Sequence, residues 1–164
     1  MIQNQYLSPH FSLSEFTESA TARKHGIANV PPPEAVENLR SLCVHTLEPL
    51  REALQLPVVI TSGFRTKALN DILAHASERS QHMQGQAADF YVSGPESRSE
   101  LLTKAFREIL QNPKIDFDQL ILYPSFIHVS YVSKERNRRG ILKAQGNGKL
   151  GYGRLTRSNA LTIV

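Results

Sequence analysis

Ser80-Gln81-His82-Met83-Gln84-Gly85-Gln86-Ala87-Ala88-Asp89-Phe90 joins a polar, glycine-containing turn to an apolar run that continues through Tyr91 and Val92. His82 and Asp89 stand seven residues apart across Gly85. The histidine can ride on the turn while the aspartate rides on a buried strand. Period-two alternation puts Ala87, Asp89 and Tyr91 on one face of that strand and Ala88, Phe90 and Val92 on the other. A second apolar strand, Phe126-Ile127-His128-Val129-Ser130, is interrupted by another histidine. Its alternation sets Phe126, His128 and Ser130 against Ile127 and Val129. Two imidazoles and one carboxylate with a fourth position open form a donor set suited to catalytic zinc.

Each of these residues also has an ordinary reading. A lone strand histidine is most often a hydrogen-bonded groove residue. Asp89 is harder to dismiss, because a carboxylate in an apolar strand is costly without a cation. A metal meets that need, and a salt bridge to Arg65 would meet it equally. Arg65 follows the strand Pro57-Val58-Val59-Ile60-Thr61-Ser62, which Gly63 ends. Its guanidinium can grip a carboxylate through two hydrogen bonds, or pair structurally with Asp71 or Asp89. Ser80 can bond substrate or brace the His82 turn.

Further out, Ser12-Leu13-Ser14-Glu15 and Ser97-Arg98-Ser99-Glu100 carry the capping-box pattern. The first predicts a short helix with Phe11 and Phe16 turned inward. The second predicts a longer helix burying Leu102, Ala105, Phe106, Ile109 and Leu110 and ending at Asn112-Pro113. Residues 34–54 are a third helix, with Val36, Leu39, Cys43, Leu47, Leu50 and Leu54 on one stripe. Pro49 should kink or split it. Cys43 lies on that stripe and reads as a buried apolar residue; His45 lies off it, in solvent. Thr66 caps a short helix through Leu73, and residues 21–33 read as loop. Gln119 to Leu122 and Phe126 to Val132 form an antiparallel hairpin. Ile141 to Ala144 reads as an edge strand, and Gly146-Asn147-Gly148 as a turn.

At 164 residues, with 40% hydrophobic and 21% charged content, the chain fits a single domain, residues 1–164, with an ordinary core. One cysteine excludes an internal disulfide. No run approaches the length of a membrane span. Met1 to His10 lacks a basic start followed by an apolar region, so a protein made in the cytoplasm without a Sec-type signal is expected. A net charge of +4 favours anionic partners only mildly. Lys134, Arg136, Arg138, Arg139 and Lys143 have no aromatic residues among them, so they read as a solvated face and no nucleic-acid partner is expected.

Taken together, Thr61-Ser62-Gly63-Phe64-Arg65, Asn70, Ser80-x-His82-x-x-Gly85-x-Ala87-Ala88-Asp89 and Phe126-Ile127-His128-Val129-Ser130 resemble the zinc D-Ala-D-Ala carboxypeptidase family. The likeness is to the subgroup joining bacterial D-Ala-D-Ala carboxypeptidases with phage cell-wall endopeptidases. Phe11-x-Leu13-x-Glu15-Phe16 and Asn137-Arg138-Arg139 extend it over most of the chain. The resemblance implies a small α+β fold of the Hedgehog/DD-peptidase type, with a central antiparallel sheet flanked by helices. It implies zinc on His82, Asp89 and His128, with Arg65 holding a substrate carboxylate or carbonyl beside Ser80. Its substrate would be a peptidoglycan stem peptide, cut by metal-activated water as a carboxypeptidase or endopeptidase. A phage origin would deliver it to the wall through a holin or a virion.

One departure is chemical. Such enzymes place an acid or an additional histidine shortly before the last zinc ligand, as general base. Here Tyr123, Pro124, Ser125, Phe126 and Ile127 hold those positions. Asp116, Asp118, Glu78 and His75 are the stand-ins. The alternative is a zinc-containing cell-wall binding or phage structural module with impaired turnover.

Overall fold

The computed structural model describes residues 5–74, 76–144 and 152–163. His75 and the turn expected at Gly146-Asn147-Gly148 lie outside them. The molecule is an α+β fold built on a six-stranded sheet. Its strands are β3 (Val58–Ser62), β4 (Ala87–Val92), β5 (Gln119–Leu122), β6 (Ile127–Ser130), β7 (Gly140–Ala144) and β8 (Tyr152–Leu155), in the order β3-β4-β6-β5-β7-β8. A separate two-stranded ribbon, β1 (Tyr6–Ser8) with β2 (Phe11–Ser12), precedes it.

All pairs in the main sheet are antiparallel except β5 with β7, which run parallel. The expected central antiparallel sheet is present as β3-β4-β6-β5, and β7 joins β5 in parallel beyond it. The chain leaves β6 through residues 131–139 and returns alongside β5, with Gly140 N–H donating to the Asp118 carbonyl at 2.9 Å. The edge position expected for Ile141 to Ala144 is corrected. β8 covers β7, so β7 is interior. β8, Tyr152-Gly153-Arg154-Leu155, has no apolar run by which it could be recognised.

One face of the sheet is the core. Ala88, Phe90, Ile127, Val129 and Leu120 are fully buried there, packed with Phe106, Ile109 and Leu102 of α6 (Arg98–Gln111). Burial of each large side chain contributes about 1.5–3 kcal/mol. The Ser97–Glu100 capping box starts α6, and Asn112 ends it before Pro113. α1 (Leu13–Thr17) starts at the other box, where Ser12 N–H donates to the Glu15 carboxylate at 2.7 Å, and Phe11 and Phe16 are buried as expected.

The long helix is interrupted. α3 (Pro33–Leu42) and α4 (Glu48–Leu54) are joined by a π-helical turn over Cys43–Leu47. Pro49 cannot donate to the carbonyl four residues back, and its ring crowds that carbonyl. The widened turn relieves the clash. The carbonyl concerned, His45, accepts instead from Asp116 N–H at 3.1 Å. Cys43 is buried and His45 exposed, the latter stacked on Tyr131 at 4.7 Å. Within the stretch read as loop from residue 21 lies most of α2 (Ala20–Lys24), capped by the Ser19 hydroxyl accepting from Ala22 N–H. Five residues are too few to show a period, so only the cap could have signalled it. α5 (Lys67–Ile72) starts at Thr66, whose hydroxyl accepts from Leu69 N–H. α7 (Arg157–Ile163) closes the described chain. No helix of the described residues is long and apolar enough to cross a membrane.

Candidate metal centre

Register makes the site. In the β4–β6 pair Asp89 lies directly opposite His128, and Ser62 of β3 pairs with Asp89 from the other side. Directly opposed residues share a face. Ser62, Asp89, His128, Ile121 and Leu142 thus form one row across the non-core face, running from β3 to β7.

His82 arrives from a 3-10 turn over Gln81–Gln84. Ser80 Oγ accepts from His82 N–H at 3.3 Å, and Gly85 ends the turn at φ 70°. A Cβ at Gly85 would fall 2.4 Å from the Ala35 carbonyl oxygen, so only glycine lets the turn lie this close to α3. Asn38 Nδ2 of α3 donates to the Gln84 carbonyl at 2.8 Å, and Arg65 N–H to the His82 carbonyl at 3.1 Å. Helix α3 and the segment after β3 therefore hold the turn from two sides.

The ligand-capable atoms of His82, Asp89 and His128 lie within 4.8 Å of one another. His82 Nδ1 is 2.7 Å from the Gly63 carbonyl oxygen. A carbonyl can only accept, so Nδ1 carries the proton and Nε2 is left with its lone pair, facing Asp89 Oδ1 at 3.3 Å. That is the outer-shell arrangement a metal-binding histidine uses. His128 Nδ1 lies 2.7 Å from the same Asp89 oxygen, and the two imidazoles meet edge to face at 5.1 Å. Burial would raise the Asp89 pKa, but the His82 and His128 imidazoles hold it well below the usual carboxylate range. Burial pushes His82 below the ordinary imidazole value, with Asp89 opposing. An ionised carboxylate and a neutral imidazole are the protonation states metal binding requires. The donor set, two nitrogens and one oxygen converging without a fourth ligand among the described residues, fits zinc.

The salt bridge from Arg65 to Asp89, the competing reading, is not among the ion pairs of the described residues. Asp89 is engaged by both histidines, and Asp71 pairs with Lys67 at 2.6 Å. Among the described residues the Arg65 side chain keeps only a long contact from Nη2 to Ser80 Oγ at 3.4 Å, and its buried Nε has no partner. Burial lowers its pKa, and the nearby Asp89 charge works against that shift. A half-buried guanidinium with an unused, buried Nε donor beside the histidines is equipped to take an acceptor from a ligand.

These groups line a cleft of about 700 Å³. Its wall includes Tyr123 and Phe126, stacked at 4.3 Å, from the β5–β6 connection. Arg98 fixes that connection by donating to the Ser125 carbonyl at 3.2 Å while covering the Tyr91 ring at 3.5 Å.

None of the described stand-in bases lines this cleft. Asp118 is fully buried and accepts from Arg138 Nε and Nη2, Arg138 N–H and Gln81 Nε2. Asp116 accepts from Arg139 and Asn137. Glu78 lines a separate depression with Lys67 and Asp71. His75 lies outside the described residues. The basic run read as a solvated face is thus partly engaged, because Arg138 and Arg139 serve as counterions to two aspartates.

Three contributors had escaped sequence reasoning. The Gly63 carbonyl is a backbone group and leaves no side-chain signal. Asn29, in the expected loop, clamps the segment after β3 by donating to the Phe64 carbonyl at 2.9 Å and accepting from Thr66 N–H at 2.9 Å. Gln81 lines the cleft, and neither its type nor its spacing marks it in the sequence.

A family model described as Peptidase M15 matches residues 9–130. That span holds Arg65, Ser80, His82, Asp89 and His128. No curated protein matches the chain.

Proposed function

The chain belongs to the Peptidase M15 family, and from that premise we propose that it hydrolyses peptide bonds in peptidoglycan stem peptides, as a zinc-dependent carboxypeptidase or endopeptidase. The family is zinc-dependent, and the match supports a metallopeptidase in general. The observation that carries the reading is the convergence of His82, Asp89 and His128 in a cleft beside an arginine with an unused donor.

Zinc bound by these three residues would supply a Lewis acid and a water of lowered pKa. Gly63 holds the His82 tautomer through its carbonyl. Asp89 brings the negative charge that offsets part of the metal's. Arg65, braced by Ser80, holds a substrate carboxylate or carbonyl and fixes the peptide across the site. Mass spectrometry of soluble fragments from sacculi treated with zinc-loaded protein tests this. Stem-peptide fragments lost with a chelator and with His128→Ala support it, and their masses separate terminal from internal cleavage.

A second reading, a wall-binding module with impaired turnover, rests on one observation. Asp89 is the sole carboxylate among the described residues lining the cleft. Retention on sacculi with no fragments released, despite bound zinc, would favour it.

A further inference from the structure

The Ser80–His82 segment addresses two guanidinium groups from adjacent residues. Ser80 Oγ meets Arg65 Nη2 at 3.4 Å. Gln81 Oε1 meets Arg138 Nη2 at 3.4 Å, while Gln81 Nε2 donates to Asp118 at 2.9 Å. Both arginines line the cleft that holds His82, Asp89 and His128. The charged side chains in its lining, histidines apart, are Arg65, Arg79, Arg138 and Asp89. The cleft is therefore cationic even before a metal is added.

Arg138 is built as a fixed donor. Asp118, 1% exposed, accepts from its Nε at 3.0 Å and its Nη2 at 2.6 Å, and Arg138 N–H donates to the same carboxylate at 2.8 Å. Yet the Arg138 side chain is 63% exposed. A purely structural ion pair needs no such exposure. The contacts above use Nε and Nη2, and none of the hydrogen bonds among the described residues uses Nη1, while the side chain as a whole lines the cleft. Holding the fork in place beforehand removes much of the ordering cost of binding.

We propose that Arg138, positioned by Asp118 and Gln81, is a second carboxylate-recognition residue of the cleft. It selects peptides bearing an acidic group on the opposite side of the scissile bond from the group held by Arg65. The substrate class is then a peptide with two separated anionic groups. This rests on the peptidase reading above for the direction of the peptide, but recognition can be measured without turnover.

The probe is a set of synthetic stem-type peptides, each pair differing only by carboxylate against carboxamide at one position. Binding to the zinc-loaded protein is measured by calorimetry, and hydrolysis is followed separately. One pair is expected to show an acid preference of about ten- to a hundredfold, the range of a charge-assisted hydrogen bond. That preference should fall to near one in Asp118→Asn/Arg138→Gln, which removes both charges together. In Arg138→Lys, which keeps a cation beside Asp118 but loses the fork, it should be intermediate. Melting temperature and zinc content are recorded for each variant. No acid preference at any position in the wild type overturns the proposal, as does a preference unchanged in a folded variant or no binding of any peptide. Intact discrimination without turnover would count against the peptidase reading alone.

Discussion

Gly63 joins the packing of α1 to the candidate centre through its own carbonyl, and Gly63→Ala tests that coupling. A Cβ there would lie 2.6 Å from both the Cα and the carbonyl oxygen of Phe16. These are backbone atoms of α1, so no side-chain rotation relieves the clash. Ordinary contact begins at 3.4 Å, so the two segments must part by about 0.8 Å. The Phe64 N–H bond to the Phe16 carbonyl, 2.7 Å long, lies across the same gap. The Gly63 carbonyl is the acceptor for His82 Nδ1, also at 2.7 Å. A shift of that size along this bond would lengthen it to about 3.5 Å, beyond hydrogen-bonding range. Overpacking and the lost hydrogen bond together predict destabilisation of about 2–4 kcal/mol. Loss of the outer-shell partner predicts zinc affinity reduced about ten- to a hundredfold. Urea unfolding of the metal-free protein reads the first, and competition with a chromophoric chelator reads the second. Gly94→Ala is the control, because its Cβ would meet side-chain atoms of Leu101 and Leu56 at 3.2 and 3.3 Å, which can give way. Wild-type stability and zinc affinity in Gly63→Ala would refute the reasoning.

Other consequences follow from the charged and buried groups. Burial alone would raise the Asp118 pKa, but hydrogen bonds from Arg138 and Gln81 and the Arg138 charge hold it below the ordinary carboxylate value. Its stabilising contribution is therefore complete above its unfolded pKa of about 4 and is lost as pH falls toward the depressed native value. Asp118→Asn should cost about 1–3 kcal/mol at pH 7, and the gap to wild type should narrow below about pH 4; a gap constant from pH 7 to pH 2.5 contradicts this. Burial, with Glu48 adding to it, pushes the Cys43 thiol far above its ordinary range. Native protein should thus resist iodoacetamide until it is unfolded, and rapid labelling of the folded state would show that the π-turn is more open than described. Gly85→Ala should reduce stability and zinc content together, because the turn carrying His82 cannot stay against Ala35; an unchanged zinc content would detach the turn from the site.

Much of this was legible in the chain. Both capping boxes, the alternation in β4 and β6, and the burial of Cys43 follow from short-range rules, and the structure has them. Alternation put Asp89 and His128 each on a definite face. It could not say that the two would lie directly opposite, because register is a property of two strands and not of either one. Nor could spacing decide between a metal and Arg65 as the partner of Asp89. That choice turned on where the turn after Arg79 carries His82. The elements missed were short or lacked a period. α2 has five residues, and β1 and β2 together have five. Pro49 marks a break, but the form the break takes depends on a distant donor, Asp116 N–H, that can donate to the displaced carbonyl. Asp118 looked like a spare acid by sequence. Its burial beside Arg138 shows that it is already committed as the counterion of that arginine.

The most direct test of the central claim is zinc content after exhaustive dialysis, for the wild type and for His82→Ala, Asp89→Ala and His128→Ala. The account predicts one zinc per wild-type chain, and a marked loss in each variant while far-ultraviolet circular dichroism shows the fold retained. A wild type without stoichiometric zinc, or a His82→Ala variant with undiminished metal content, would contradict it.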